Sequence, residues 1–161
     1  RKMGGKIKIK KTKTVSGEDV GNIQVSYSSL NAIKIKASAA PYLIDEYPIL
    51  SIAASQAKGV TVMKGLSELR HKESDRIKSI ITNLSKIGFK VTSKKDDIFI
   101  NGSKEIKIVN QKKIKTYGDH RIAMSFVILS LLYENKLIID DESCISISYP
   151  DFKKHLKTLS T

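Results

Sequence analysis

Isoleucine and leucine recur at helical spacing in the middle of the chain. Ile77, Ile80, Ile81, Leu84 and Ile87 fall at i, i+3, i+4, i+7 and i+10, one face of an amphipathic helix. Asp75 stands at its start as a capping residue and Gly88 at its end as a stop. Beyond it, residues 89–92, 98–100 and 106–109 read as strands, with Asp96-Asp97 as the turn between the first two. Two other stretches share a single plan. Asp45 precedes an apolar run, 49–58, that stops at Gly59 and leads into a strand at 60–63. Asp119 precedes the run 122–129, which continues to Asn135 and leads into a strand at 136–139. Each reads as an Asp N-cap, a helix, a Gly or Asn stop and a strand. Both helices are apolar nearly all round, so both are expected to be buried.

The opening Arg1-Lys2-Met3-Gly4-Gly5 reads as the tail of a helix with its glycine stop, followed by strands at 6–10 and 23–26 around a polar loop. A helix at about 150–159 closes the chain. The order β-α-β-α-β-β, repeated and cut off at its start, predicts an α/β (α+β) fold in which sheets wrap buried helices.

Composition narrows this only slightly. With 161 residues, 40% hydrophobic and 28% charged, the chain fits a globular domain or a piece of a larger one. Its first residue is Arg1 rather than Met, so it is expected to begin mid-protein. A net charge of +13 raises nucleic acid or an anionic membrane as a partner. The lysines, however, are dispersed along the chain without interleaved aromatics or a nucleic-acid motif. The longest apolar run, 122–133, is shorter than the roughly 18 residues of a membrane span. Neither partner is therefore expected. The single cysteine, Cys144, excludes an internal disulfide and implies a reducing compartment, hence the cytoplasm. With His71, His120 and His155 scattered, no metal or other cofactor is expected.

Charge placement is more telling than charge. Ionisable residues crowd three predicted helix starts: Ile44-Asp45-Glu46-Tyr47-Pro48, Leu69-Arg70-His71-Lys72-Glu73-Ser74-Asp75-Arg76, and Tyr117-Gly118-Asp119-His120-Arg121-Ile122-Ala123-Met124. Helix N-termini carry unpaired N–H groups and the positive end of the macrodipole, and so favour anions. Only four of the 29 basic residues are arginines, and Arg70, Arg76 and Arg121 lie inside these segments. Arginine offers a planar two-pronged fork for carboxylate or phosphate that lysine cannot imitate. Arg76, Arg121 and Lys72 could hold an anion, and Asp45 and Glu73 could move protons. The plainer alternatives are an N-cap role for Asp45, a surface pair for Glu73 and Arg76, and capping or packing for His120; Asp75 and Asp119 read as structural caps and arginine orienters.

These segments, together with Pro41-Tyr42-Leu43 ahead of the first and the closing Ser146-Ile147-Ser148-Tyr149-Pro150-Asp151-Phe152, resemble the enolpyruvylshikimate-phosphate synthase (3-phosphoshikimate 1-carboxyvinyltransferase) family. The resemblance runs from Met3 to Leu159 and covers the C-terminal third of a family member. It implies transfer of the enolpyruvyl group of phosphoenolpyruvate to the 5-hydroxyl of shikimate 3-phosphate, with release of phosphate, on the route to chorismate and aromatic amino acids. It implies Asp45 as proton acceptor and shikimate-orienting residue, and Glu73 as acid/base at the phosphoenolpyruvate methylene. It further implies Lys72 on the shikimate phosphate, Arg76 and Arg121 on phosphoenolpyruvate, and His120 as a supporting catalytic hydrogen-bonding group. Residues 1–161 would then be the C-terminal portion of one enolpyruvyl transferase domain, holding half a site whose remainder lies on an N-terminal domain. Ile147 stands where many members carry lysine, which implies a subgroup, and His71 stands where an apolar residue is common. Two alternatives remain at this point: an enolpyruvyl transferase acting on UDP-N-acetylglucosamine, and a non-catalytic basic binding fragment. The Lys72-Glu73-Ser74-Asp75-Arg76 and Asp119-His120-Arg121 combination favours the shikimate branch over the first.

Overall fold

The computed structural model describes residues 1–134 and 136–159. It contains two β-α-β units. In the first, strand β3 (Lys34–Ile35) leads through the short helix α1 (Ala40–Leu43) and helix α2 (Tyr47–Ser55) to β4 (Gly59–Met63), which pairs with β3 in parallel. In the second, β7 (Lys112–Ile114) leads through α4 (His120–Ser130) to β8 (Leu137–Ile139), again parallel. Helix α3 (Arg76–Ile87) and the antiparallel pair β5 (Lys90–Lys94) and β6 (Asp97–Gly102) lie between the units. The first sheet has the order β3-β4-β6-β5. The repeat expected from sequence is present, with each helix also preceded by a short strand, β3 or β7, that the hydrophobic pattern does not reveal.

Helix α3 follows its sequence signals. The Asp75 carboxylate accepts the Lys78 N–H at 3.0 Å, and Gly88, at φ +120°, donates to the carbonyls of Leu84 and Ser85, the left-handed stop that glycine adopts without strain. Its apolar face, Ile77, Ile80, Leu84 and Ile87, is buried against Tyr47, Met63, Ile98, Ile100, Ile114, Ile122 and Phe126. Gly102 lets β6 approach the end of α2: a Cβ there would lie 2.1 Å from the Ala57 carbonyl oxygen and 2.5 Å from that of Ala54.

Several expectations change. Residues 106–109 are not a strand, although Ile108 is buried; the strand comes later, at β7, where pairing with β8 is available. The turn between β5 and β6 is Lys95-Asp96, one residue earlier than expected. The opening strands are long, β1 (Lys6–Val15) and β2 (Glu18–Ser26), and the expected polar loop is mostly ladder. They turn at Ser16-Gly17, both with positive φ (51° and 84°), the geometry that matches strand twist in a two-residue hairpin. Cross-strand pairing holds these strands, one of them lysine-rich, without burial, so hydrophobic alternation could not mark their extent. Helices α2 and α4 are buried or half-buried along their length, apart from the exposed Ile49 of α2; Leu131 and Leu132, just past α4, are exposed. The expected stop at Asn135 lies outside the described residues. The closing helix α6 (Phe152–Leu159) starts two residues late, after a short turn of helix, α5 (Ile145–Ser148).

Asp45 is not an N-cap. The residue before α2 is Glu46, itself helical, and no side chain caps the helix. Residues 44–46 run on in helical conformation from α1, with the Glu46 N–H on the Leu43 carbonyl. The Asp45 carboxylate caps no helix donor and bonds Arg76 instead.

Candidate active site

The three charged segments meet at one buried guanidinium. Arg76, the first residue of α3, has no exposed surface and directs four N–H donors at three carboxylates. Nε donates to Asp119 Oδ2 at 2.8 Å, Nη1 to Asp45 Oδ1 at 2.9 Å, and Nη2 to Glu73 Oε2 at 2.7 Å and to Asp119 Oδ1 at 3.4 Å. Burial alone would lower the Arg76 pKa, but the hydrogen bond and charge of Asp119, with Asp45 and Glu73, outweigh it and raise it further. The residue is a permanent cation, as a buried arginine paired with three carboxylates should be.

Asp119 caps α4 as its sequence position predicts. Its carboxylate accepts the N–H groups of Arg121 at 2.9 Å and Ile122 at 3.3 Å. It is also wholly buried and accepts from Ser74 Oγ at 3.1 Å. Burial pushes its carboxyl up, yet the Arg76 bond and the backbone donors hold it below the usual range. The preceding turn is braced in the same way: Asp140 accepts from both the Thr116 N–H and its hydroxyl, at 2.8 and 3.0 Å. That brace supports the successive positive φ values of Tyr117 and Gly118.

Asp45 and Glu73 reach Arg76 from its outer side, and each carboxylate keeps 40% or more of its surface exposed. For Asp45, partial burial pushes the carboxyl up, but the Arg76 bond and the charges of Arg121, Arg76 and Lys72 hold it below the ordinary range. It is an ionised acceptor with a low proton affinity. Arg121 lies beside it: Nη1 donates to the Asp45 backbone carbonyl at 3.0 Å, and Nη2 stands 3.5 Å from Asp45 Oδ2. Its side chain keeps about a third of its surface exposed, so it offers a ligand more open surface than Arg76, which has one unengaged N–H on Nη1. Lys72 is exposed nearby on the loop carrying Glu73. His120, half-buried, opens α4 beside Arg121. The structure thus assembles Asp45, Glu73, Arg76 and Arg121 through direct bonds or ion pairs, with Lys72 and His120 at the rim. A cavity of about 220 Å³ adjoins Asp45 and Arg121, walled by Ile49, Met124, Ile128, Tyr149 and Phe152.

Asp119 is the cap and arginine orienter that its sequence position suggested; Ser74, which donates to it, was missed, and its place between Glu73 and Asp75 was the one signal available. Arg70, by contrast, is structural. Its fork holds Asp96 at 2.9 Å, Asp75 at 3.2 Å and the Lys95 carbonyl at 2.8 Å. It clamps the loop that leads to Lys72 and Glu73 onto the β5–β6 turn. Chemically, the cluster sets three carboxylates against two arginines and a lysine, suited to holding an anion beside groups that exchange protons.

A sequence model of the family described as EPSP synthase (3-phosphoshikimate 1-carboxyvinyltransferase) matches residues 1–156. Relatives bearing the name 3-phosphoshikimate 1-carboxyvinyltransferase include one from Sulfurihydrogenibium sp., 42% identical over 160 residues, covering 99% of this chain and 36% of the relative. One from Petrotoga mobilis is 45% identical over 150 residues, covering 93% of this chain and 34% of the relative. Among solved structures, an EPSP synthase from Acinetobacter baumannii superposes with a TM-score of 0.85 at 31% identity, covering 98% of this chain and 36% of that one. The chain spans about a third of the length of these relatives.

Proposed function

The chain belongs to the EPSP synthase (3-phosphoshikimate 1-carboxyvinyltransferase) family, and on that premise we propose that it carries one side of an active site that transfers enolpyruvyl from phosphoenolpyruvate to the 5-hydroxyl of shikimate 3-phosphate. In this reading residues 1–161 are the C-terminal portion of one of the enzyme's domains, working in the cytoplasm without nucleic acid or membrane as partner. An N-terminal domain supplies the remaining contacts. The observation that supports it is the convergence of Asp45 and Glu73 on one buried arginine, with the half-open Arg121 beside them.

The reaction adds the 5-hydroxyl oxygen of shikimate 3-phosphate to C2 of phosphoenolpyruvate while C3 gains a proton; phosphate then leaves C2 as C3 loses a proton. Asp45 accepts the hydroxyl proton and orients the ring. Its low proton affinity makes it a weak base, so proton transfer accompanies the attack on C2 rather than preceding it. Glu73 gives and takes the proton at C3. Arg121 grips the anionic groups of phosphoenolpyruvate, and Arg76, with four donors already engaged, contributes through its remaining Nη1 N–H. Lys72 contacts the phosphate of shikimate 3-phosphate, and His120 supports the Arg121 grip by hydrogen bonding. No metal or other cofactor is required for these steps.

The test is reconstitution. This chain, fused to a family N-terminal domain, is expected to release phosphate from phosphoenolpyruvate only when shikimate 3-phosphate is present. Release that depends on UDP-N-acetylglucosamine instead, or on neither acceptor, overturns the reading.

A further inference from the structure

Asp119 does two jobs that one oxygen could not do. Its Oδ1 accepts the backbone N–H groups of Arg121 and Ile122 at the start of α4 and a longer bond from Arg76 Nη2 (3.4 Å), while its Oδ2 accepts the short Arg76 Nε bond and Ser74 Oγ from the start of α3 and the loop before it. It is wholly buried, and its donors tie the segment carrying Arg121 and His120 to the guanidinium on which Asp45 and Glu73 rest. We propose that Asp119 is the positioning residue of this site: without touching substrate, it fixes Arg76 so that Asp45 and Glu73 are presented together beside Arg121. The roles given to Asp45 and Glu73 rest on the function proposed above; the positioning itself does not.

The physical case is one of acceptor counting. A helix cap alone is served as well by Asn as by Asp. Here the cap and the Arg76–Ser74 pair face opposite oxygens, and an amide has only one oxygen to offer. Asn must therefore abandon either the cap or the short Arg76 Nε bond along with that of Ser74. With its oxygen at the cap it keeps only the 3.4 Å Nη2 contact with Arg76, and presenting its NH₂ to Nε sets donor against donor. Arg76 would then rest chiefly on two carboxylates that are themselves partly exposed to water.

The readout is Asp45, which needs no substrate. The charged groups facing it are Arg76 from α3, Arg121 from α4, Lys72 and Glu73 from the loop before α3, and the adjacent Glu46, with Asp119 acting through Arg76. In isotope-labelled chain, the Asp45 carboxyl carbon is followed through a pH titration by NMR. The wild-type chain titrates below the ordinary aspartate range; Asp119→Asn is expected to move the midpoint up toward the ordinary value of about 3.9 as Arg76 leaves Asp45. An unchanged midpoint means Asp119 is only the α4 cap, and a lower one means Arg76 keeps its place unaided with its charge less neutralised; either overturns the proposal. Asp119→Glu restores two acceptor oxygens and is expected to lie nearer wild type than Asp119→Asn; a Glu variant displaced as far as the Asn variant overturns it.

Should Asp119→Asn fail to fold, the wild-type chain decides. If Asp119 holds Arg76, the Arg76 Nε–H signal persists while Asp45 takes up its proton. If that signal disappears as Asp45 titrates, Asp45 holds the arginine and the proposal falls. Failure of the proposed reaction would show as absent phosphate release and would leave these titrations untouched.

Discussion

Replacing each site arginine by lysine should separate two roles that are indistinguishable in the sequence. Lysine keeps the charge but offers three donors on one nitrogen in place of a planar fork. At Arg76 the fork spans Asp119 on one side and Asp45 and Glu73 on the other; a single ammonium cannot reach both sides. Asp119, with no exposed surface, is the partner that suffers, because water cannot replace what it loses. Hydrogen bonds to charged groups are worth about 1.5–3 kcal/mol each, and removing one partner of a buried pair outright costs about 3–5 kcal/mol. Arg76→Lys, which retains the charge, is therefore expected to cost about 2–4 kcal/mol. At roughly 2–4 °C per kcal/mol for a chain of this size, Tm falls by roughly 4–16 °C. Arg121 is partly exposed and leans on a backbone carbonyl and the rim of Asp45, so Arg121→Lys is expected to cost about 0–1 kcal/mol of stability. In the fused two-domain protein, however, it should weaken phosphoenolpyruvate by about 1.5–3 kcal/mol, with shikimate 3-phosphate little affected. The assays are urea unfolding of both variants, with the m-value checked for constancy, and ligand titration of Arg121→Lys. An Arg76→Lys variant within 1 kcal/mol of wild type would refute the claim that its fork holds the segments together. Unchanged phosphoenolpyruvate affinity in Arg121→Lys would remove that residue from the site.

Asp45 and Asp119 both have carboxyls held below the usual range, so their contribution to stability is complete above the unfolded-state value of about 4 and is lost as pH falls through their lower folded values. Urea midpoints should drop with acidification below about pH 4, and Asp119→Ala should flatten that limb; a wild-type midpoint independent of pH there would contradict the charge network. Gly102→Ala places a methyl against the carbonyls of Ala57 and Ala54 and is expected to destabilise by about 1–3 kcal/mol; a neutral result in the same unfolding assay would mean that the approach of β6 to α2 is not constrained there.

What the chain alone determined is whatever depends on neighbours in sequence. The helix of Ile77, Ile80, Leu84 and Ile87, its Asp75 cap and its Gly88 stop are set by periodicity and by the conformational demands of helix ends, and they are found as read. The same holds for Asp119 at the start of α4 and for the repeated helix-then-strand plan. Tertiary structure decided what depends on distant partners. Strands β3 and β7 are two and three residues long, too short for any pattern, and exist because β4 and β8 lie beside them. Asp45 has the sequence context of a cap, yet its carboxylate caps no helix donor and bonds an arginine 31 positions away. Of three arginines in similar company, Arg70 became a clamp on a turn, Arg76 a buried hub and Arg121 an open cation. Their difference is burial and the number of carboxylates within reach, and both are properties of the folded chain rather than of its local sequence.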